Sequence, residues 1–316
     1  MAVTNSLTAR GGNNKPAPFS AVISSDSYKK LINNTLRDPN RANRFVASIT
    51  SAVSANPALQ KCDAATIVSS ALLGESLNLS PSPVLGQFYM VPYEDRKNNR
   101  TVAQFQIGYK GYIQLAIRSG QYADIDAIEI RAGEYKGRDK LTGKPVFEFI
   151  EDDEVRENTT IIGYLAYFEL LNGFKKTMYF SHEKMLNHAD TYSKAFSRKK
   201  YEDLQAGKIP QSEMWKYSSP WYTGFVGMAL KTCLRQLLNK FGILSIEMQT
   251  AIANDMATIN EDGSAEYIDN APGAELDASA EADGVIINAE SEPIPNDPIP
   301  VDAGADPVGS FFGNEG

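Results

Sequence analysis

The residues best suited to chemistry lie between Gly108 and Tyr112, where glycine, tyrosine and lysine stand between a predicted strand and a predicted helix. Glycines let a nucleic-acid backbone approach closely, and a helix N-terminus presents N–H groups and a positive dipole end to a phosphate. Lys110 adds charge, while Tyr109 and Tyr112 offer flat faces on which bases stack. Gly108 to Tyr112 therefore predicts contact with single-stranded nucleic acid, with a tight turn and core-packed tyrosines as the alternative.

A second candidate site lies on the helix predicted from Pro220 to Phe241. Glycines and cations recur there at helical spacing, in the order Gly224, Gly227, Lys231 and Arg235. A bare surface beside two cations would let a phosphate backbone lie along the helix. The alternative is close helix packing at the glycines with solvated cations. Trp215 and Trp221 flank the preceding turn, and each is either a base-stacking residue or a buried anchor.

Further basic residues complete the predicted nucleic-acid contacts. Arg118 lies in the last turn of the helix that Lys110 begins. One polar helical stretch carries Lys194, Arg198, Lys199 and Lys200. A polar excursion between strands carries Lys136, Arg138, Lys140 and Lys144. The second cluster fits a mobile arm that closes over a nucleic acid, and both clusters are also typical of a solvated face.

Signals for catalysis are weak. Gly137 to Pro145 reads GRDKLTGKP, which imitates a phosphate loop but has one residue too many and proline in place of Ser or Thr. Two histidines and two isolated cysteines do not provide zinc-site spacing. Glu151 to Glu154 could hold Mg²⁺ but are typical of a solvated turn. We therefore expect no catalytic residue, no structural metal and no cofactor; Mg²⁺ is compatible with the sequence but not required by it.

The charge is distributed unevenly along the chain. Residues 251–316 contain 15 acidic side chains and no Lys or Arg. The first 250 residues hold all 31 basic side chains against 24 of the 39 acidic ones, a net charge of +7. This asymmetry favours a polyanion as the partner of the basic part. The acidic part is expected either to compete with that partner, to dock another protein through Phe311-Phe312, or only to keep the chain in solution.

The elements that must position these residues predict an α+β fold. Helices capped by Asp26, Asp38 and Asp63 come first, and helices from Ser181 onward come last. A central antiparallel-rich sheet surrounds one helix, and its strands are predicted at Gly86–Tyr93, Thr101–Ile107, Ile125–Arg131, Val146–Ile150, Thr160–Leu171 and Lys175–Phe180.

Three regions follow from this pattern: a disordered leader (1–25), a folded core (26–254), and a disordered acidic tail (255–316). The first residues lack the apolar centre of a signal peptide, and no apolar run approaches the ~20 residues that cross a bilayer. A cytoplasmic location without membrane contact is therefore expected.

Four sequence stretches together resemble one known family in order and spacing. They are LNLSP (77–81) leading into GQFYMVPY (86–93), FQIGYKGYIQLAIRSGQY (105–122), HADTYSKAF (188–196), and SPW (219–221) followed by MALKTCLRQLL (228–238). Over roughly residues 30–250 the chain resembles the RecT family of phage single-strand annealing recombinases. Family members often carry acidic residues just before the methionine of the last stretch. Here Gly224 to Gly227 has none, so no metal-assisted role is expected there.

The resemblance implies that the core (26–254) is responsible for DNA binding, annealing and oligomerisation. Annealing of single-stranded DNA is then expected to be independent of ATP, with some strand exchange and no covalent catalytic step. The resemblance also implies a ring or helical filament of identical subunits, a phage or prophage origin in a bacterial host, and two partners: a 5′-to-3′ exonuclease and the host single-strand-binding protein. Two other functions stay open from the residues alone. One is a Mg²⁺-dependent nuclease using Glu151 to Glu154 or Asp124 and Asp126, and the other is a non-enzymatic phage assembly protein.

Overall fold

The computed structural model describes residues 17–95, 98–260 and 262–266, which form an α+β fold of helices and antiparallel sheets. The helices are α1 (Phe19–Ile23), α2 (Asp26–Leu36), α3 (Pro39–Ala55), α4 (Ala64–Ser76), α5 (Tyr109–Arg118), α6 (Asp153–Glu157), α7 (His182–Tyr192), α8 (Arg198–Gln205), α9 (Pro220–Thr223), α10 (Phe225–Phe241) and α11 (Ile246–Asn254), with 3₁₀ helices at Leu59–Lys61 and Gln211–Tyr217. Within these ranges no helix is both long and apolar enough to cross a membrane.

The N-terminal helices begin close to where local capping predicts. Asp38 accepts hydrogen bonds from the N–H groups of Asn40 and Arg41 at 2.8 and 3.3 Å, and Asp63 accepts from Ala65 at 3.0 Å. Asp26 is the first residue of α2 instead of its cap, which is Ser25. The predicted leader is too long, because α1 buries Phe19 and Ile23 in the core.

The strands are β1 (Phe88–Asp95), β2 (Arg100–Ile107), β3 (Tyr122–Arg131), β4 (Tyr135–Arg138), β5 (Pro145–Phe147), β6 (Ile161–Leu170), β7 (Lys175–Ser181), β8 (Ala257–Ile259) and β9 (Ala265–Glu266). They form three sheets with the orders β1-β2-β8-β9, β3-β6-β7 and β4-β5, and every pairing is antiparallel. The α+β class is confirmed, and each predicted strand run overlaps an observed strand. The strands are divided among separate sheets, with α5 in contact with β3 and α10.

Helix α10 is the centre of the hydrophobic core. Ala229, Cys233 and Leu237 are fully buried, and the helix contacts β3, β6, β7 and α5. The prediction of one continuous helix from Pro220 to Phe241 is wrong at one residue, Gly224. Gly224 has φ −150° and ψ 50°, which are not helical angles, so the chain bends there and separates α9 from α10.

The core extends further toward the C-terminus than the sequence predicted. Asp255 is buried, and β8 pairs with β2 at Gln104↔Thr258 and Phe105↔Ala257. All three residues of β8 are buried, so this segment completes a sheet and is not part of an acidic tail. The predicted boundary at residue 254 is therefore too early; residues 267–316, with the rest of the predicted tail, lie outside the described residues.

Replacing Asp38 with alanine should lower the free energy of unfolding by about 1 kcal/mol, because the first turn of α3 loses its side-chain acceptor. The matched control is Asp26→Ala, which removes a carboxylate from a first turn without removing a cap and should cost less than about 0.5 kcal/mol. Urea unfolding followed by circular dichroism measures both. Equal losses would show that capping is not what Asp38 contributes.

Candidate nucleic-acid interface

Lys110 lies on an open surface at the N-terminus of α5. Gly108 is the N-cap and has no side chain to accept from the first N–H groups of the helix. Lys110 is exposed, and so is 41% of Tyr89 on β1. The two side chains meet over Gly86, since a Cβ on that residue would lie 3.0 Å from the Tyr89 hydroxyl and 3.5 Å from Lys110 Cδ. We call Gly86, Tyr89 and Lys110 the Lys110 surface. It combines a cation, an aromatic face and a helix N-terminus, which suits a phosphate with its neighbouring base.

The glycines beside Lys110 serve contacts within the protein. A Cβ on Gly108 would lie 2.2 Å from the carbonyl oxygen of Gly86, and a Cβ on Gly111 would lie 2.1 Å from that of Gln87. The N–H of Gly108 also donates to the Gln87 carbonyl at 2.8 Å. The expected approach of a nucleic-acid backbone to these glycines is therefore corrected. The space is filled by the segment before β1, and neither glycine has a positive φ.

The two tyrosines of the segment have different environments. Tyr109 is half-buried, and burial, followed by the nearby Glu129 carboxylate, raises the pKa of its hydroxyl. Tyr112 is fully buried, and its hydroxyl donates to Asp255 at 3.3 Å. The stacking role expected of Tyr112 is corrected to a packing role, because its ring has no face open to a base. Tyr109 is only partly buried.

Lys231 and Arg235 point into the protein and not along a DNA track. The Lys231 ammonium lies 2.8 Å from Asp255 Oδ1, and the Arg235 guanidinium lies 3.7 Å from Oδ2 of the same carboxylate. Lys231 and Asp255 are buried, and Arg235 is largely so. The predicted cationic stripe on α10 is therefore corrected to a buried ion cluster. A Cβ on Gly227 would meet no atom within 4 Å, so this part of the stripe is open but carries no cation.

Arg118 and Arg198 use their donors within the protein. Arg118 donates to the carbonyl oxygens of Leu77 and Asn78 at 2.6 and 3.2 Å, just beyond the end of α4. Arg198 lies 2.5 Å from Glu183 and 2.8 Å from Glu202. Both arginines are thus positioned by internal acceptors, and the two carboxylates offset the charge of Arg198. The structure favours a positioning role for them over the direct phosphate contact that the sequence predicted.

Exposure separates the tryptophans that the sequence could not distinguish. Trp221 is 4% exposed and packs on Phe225 at a ring distance of 5.3 Å, so the DNA contact predicted for it is corrected to a core contact. Trp215, in contrast, is 73% exposed. The cations Lys194, Lys199 and Lys200 are also exposed. Sequence reasoning missed Tyr89, although its place between buried Phe88 and Met90 on a strand indicates an outward side chain.

The segment that imitates a phosphate loop is the turn of the β4–β5 hairpin. Asp139 accepts from the N–H groups of Leu141 and Thr142 at 3.1 and 2.7 Å and from the Thr142 hydroxyl at 2.7 Å. These bonds hold the pKa of Asp139 below its usual value, the Thr142 hydroxyl contributing most. A phosphate loop runs from a strand into a helix, whereas this turn joins two antiparallel strands. Its backbone is therefore not arranged as a nucleotide cradle.

A buried ion pair fixes the base of this hairpin. Glu134 accepts from Arg156 at 2.6 Å, from the N–H of Arg131 at 2.7 Å and from that of Ile150 at 3.3 Å. Burial alone would raise the pKa of Glu134, but these bonds outweigh it and lower the pKa. Lys136 pairs with Glu148 at 3.1 Å. Arg138 donates to the carbonyl of Gly143 at 2.9 Å.

The acidic run from Glu151 to Glu154 is exposed. Asp152 caps α6 by accepting from the N–H of Val155 at 3.0 Å. In the part of the chain that the structure describes, no group of three or more His, Cys, Asp or Glu side chains is placed to hold a metal ion. The run thus has a local structural role at a helix start.

Comparison with known proteins places these features in a family. A sequence model of the RecT family matches residues 43–268. A Bacillus subtilis (strain 168) protein named "Uncharacterized protein YqaK" is 37% identical over 262 residues, covering 81% of this chain and 80% of the relative. "Protein RecT" of Escherichia coli (strain K12) is 28% identical over 257 residues, covering 77% of this chain and 84% of the relative. The match spans the Lys110 surface, the buried ion cluster and β8.

Lys231→Ala should lower the free energy of unfolding by about 3–5 kcal/mol, because it removes one partner of a buried ion pair. Lys110→Ala, at an exposed position, should change it by less than about 0.5 kcal/mol. Urea unfolding compares the two variants. A stable Lys231→Ala protein with weakened DNA binding would instead restore the cationic track on α10.

Proposed function

The chain belongs to the RecT family, whose general role is phage-type recombination by strand annealing, and on this premise we propose that it binds single-stranded DNA and pairs complementary strands without hydrolysing a nucleotide. The observation that carries the proposal is the Lys110 surface, which lies within the matched region. There an exposed cation, an exposed tyrosine and a helix N-terminus without a side-chain cap lie together around Gly86.

The proposed binding is independent of base sequence. Lys110 takes one phosphate near the positive dipole end of α5, and Tyr89 and Tyr109 stack on neighbouring bases. Stacking works for every base because each has a π-face, and it contributes about 1–3 kcal/mol per base. Because these contacts use the backbone and the base faces, the pairing edges stay free. A second strand can then be tested for complementarity by base pairing itself.

Annealing needs no chemical energy source, since DNA stacking contributes on average about 1.4 kcal/mol per base-pair step. The protein has to hold the first strand extended and keep the second strand close. The hairpin geometry of residues 137–145 supports a mechanism without ATP, because that turn is not followed by a helix. Mg²⁺ is compatible with the proposal as a counterion of the DNA.

Assembly on DNA is part of the same proposal. Single-strand binding and oligomerisation are general properties that the family implies. We extend them to a ring or helical filament, with a 5′-to-3′ exonuclease supplying the single strand and the host single-strand-binding protein as the protein displaced from it. A nuclease role has less support, because Asp152 in the acidic run that a nuclease would use caps a helix. A phage assembly role has less support, because the family's general role is recombination.

Two complementary oligonucleotides should pair faster with the protein than without it, equally well with ATP or with an ATP-depleting enzyme. If about five phosphates are neutralised per protomer, affinity for a single strand should fall about a hundredfold between about 50 and about 200 mM salt. Fluorescence-monitored pairing and anisotropy give the two quantities. A requirement for ATP would contradict the proposal, and strands shortened on a denaturing gel in Mg²⁺ would indicate a nuclease.

Lys110→Ala should weaken single-strand binding about five- to tenfold at low salt and reduce the salt slope by about 0.7, the contribution of one phosphate contact. Lys110→Arg should retain most of the affinity. Lys29→Ala, which removes another exposed cation, from α2, is the matched control. Anisotropy titrations over a range of salt concentrations measure the effect. Equal affinities for the Lys110→Ala and Lys29→Ala proteins would exclude the Lys110 surface as a contact.

A further inference from the structure

The 3₁₀ helix Gln211–Tyr217 presents an indole ring to solvent. The chain has two tryptophans, and Trp215 is 73% exposed whereas Trp221 is 4% exposed. Indole rings usually bury most of their surface because they carry much apolar area. A ring left this open on a folded segment is accessible to a ligand or partner.

The neighbours of Trp215 on its own helix leave the ring uncovered. Side chains at i and i+3 of a 3₁₀ helix lie above one another, so Ser212, Trp215 and Ser218 share a face as the chain leaves this element. All three are exposed, and the two serines are too small to cover an indole. The ring can therefore be approached without displacing another large side chain of this face.

The base of the segment is anchored in an aromatic cluster. Tyr217 packs edge-on against Tyr222 at 5.1 Å, Tyr222 packs on Phe196 at 5.0 Å, and Phe196 packs on Tyr201 of α8 at 5.6 Å. The main-chain N–H of Ser197 also donates to the Tyr222 hydroxyl at 2.8 Å. These contacts attach the 3₁₀ helix and α8 to the same cluster. The indole is thus displayed from a fixed support, which lowers the entropy lost when it binds.

The cations on the 3₁₀ helix and on α8 are suited to binding a polyanion. The Lys216 ammonium lies 5.8 Å from the Trp215 ring centroid, and it also pairs with Glu213 at 3.1 Å. Helix α8 begins with Arg198, which is offset by carboxylates, followed by Lys199 and Lys200, which are exposed. Aromatic faces interleaved with cations are the combination that single-strand binding proteins use.

We propose that Trp215 is a base-stacking platform for single-stranded DNA, with Lys199, Lys200 and Lys216 taking the adjoining phosphates. It would be a second contact point, carried by the 3₁₀ helix and α8, in addition to the Lys110 surface. This inference rests on the proposed single-strand binding. It assigns a role to a residue outside the stretches that carry the family resemblance.

The two tryptophans allow a direct test by fluorescence. In Trp221→Phe protein all indole emission comes from Trp215, and in Trp215→Phe protein it comes from Trp221. Addition of oligothymidylate should quench the Trp215 emission, and the quenching should follow the rise in anisotropy of the labelled oligonucleotide. The Trp221 emission should stay nearly unchanged. Oligonucleotide containing 5-bromouracil should quench Trp215 more strongly, because the heavy atom acts on a ring in contact with the base. Should Trp221→Phe fail to fold, the difference between wild-type and Trp215→Phe spectra gives the same signal.

Affinity provides the second readout. Trp215→Ala should weaken binding between about fivefold and about a hundredfold, which corresponds to the stacking of one base. Trp215→Phe should retain most of the affinity, because phenylalanine still offers a flat face. Neither change should alter the unfolding midpoint, since the ring is exposed. The control Met214→Ala removes an exposed apolar side chain from the same 3₁₀ helix and should leave affinity unchanged.

The possible failures are distinguishable. If wild-type protein does not raise the anisotropy of single-stranded DNA, the proposed function is overturned and this inference with it. If DNA binds with normal affinity to Trp215→Ala and Trp215 emission does not change, only this inference is overturned. A third result would also overturn it. Trp215 emission would then fall as the protein concentration rises in the absence of DNA, and brominated and plain oligonucleotides would have the same effect on it, because the ring would be covered by a second copy of the chain.

Discussion

The rest of the structure depends on the interactions of one buried group, the carboxylate of Asp255. It accepts from the N–H of Ile107 at 3.1 Å and from the Tyr112 hydroxyl at 3.3 Å, and it faces Lys231 at 2.8 Å and Arg235 at 3.7 Å. One buried anion thereby joins β2, α5 and α10 to the segment that enters β8. Removing Asp255 would leave Lys231 and Arg235 in the core without the carboxylate that they share, so the four elements are fixed as a set.

The position of β8 follows from this cluster. Met256, next to Asp255, has φ 67°, a left-handed conformation that a non-glycine side chain rarely adopts. The N–H of Met256 donates to the carbonyl of Phe105 at 2.8 Å, and β8 then pairs with β2. The strain of one residue is offset by bonds on both sides of it. Because β2 leads directly into α5, the same contacts fix where α5 begins and hence where Lys110 is displayed.

The fold divides similar residues into two groups with different roles. Among the cations, Lys231 and Arg235 neutralise a buried carboxylate, whereas Lys110, Lys199 and Lys200 are exposed. The aromatic residues divide in the same way: Tyr112 and Trp221 pack in the core, while Tyr89 and Trp215 face solvent. The segments typical of the family are thus partly a structural frame. The groups proposed to contact DNA lie at its edges, where charge and ring faces remain accessible to water.

The sequence by itself determined the features that depend on near neighbours or on composition. Asp38 and Asp63 cap their helices through bonds two or three residues away. The α+β class and the charge asymmetry also follow from local pattern and counting. Only the tertiary structure decided which cations and rings are available. Lys231 meets a carboxylate 24 residues away, and Arg118 meets carbonyls 40 and 41 residues away. A lysine on a helix has the same local pattern whether it is solvated or paired in the core, because burial is set by what packs against it from distant parts of the chain.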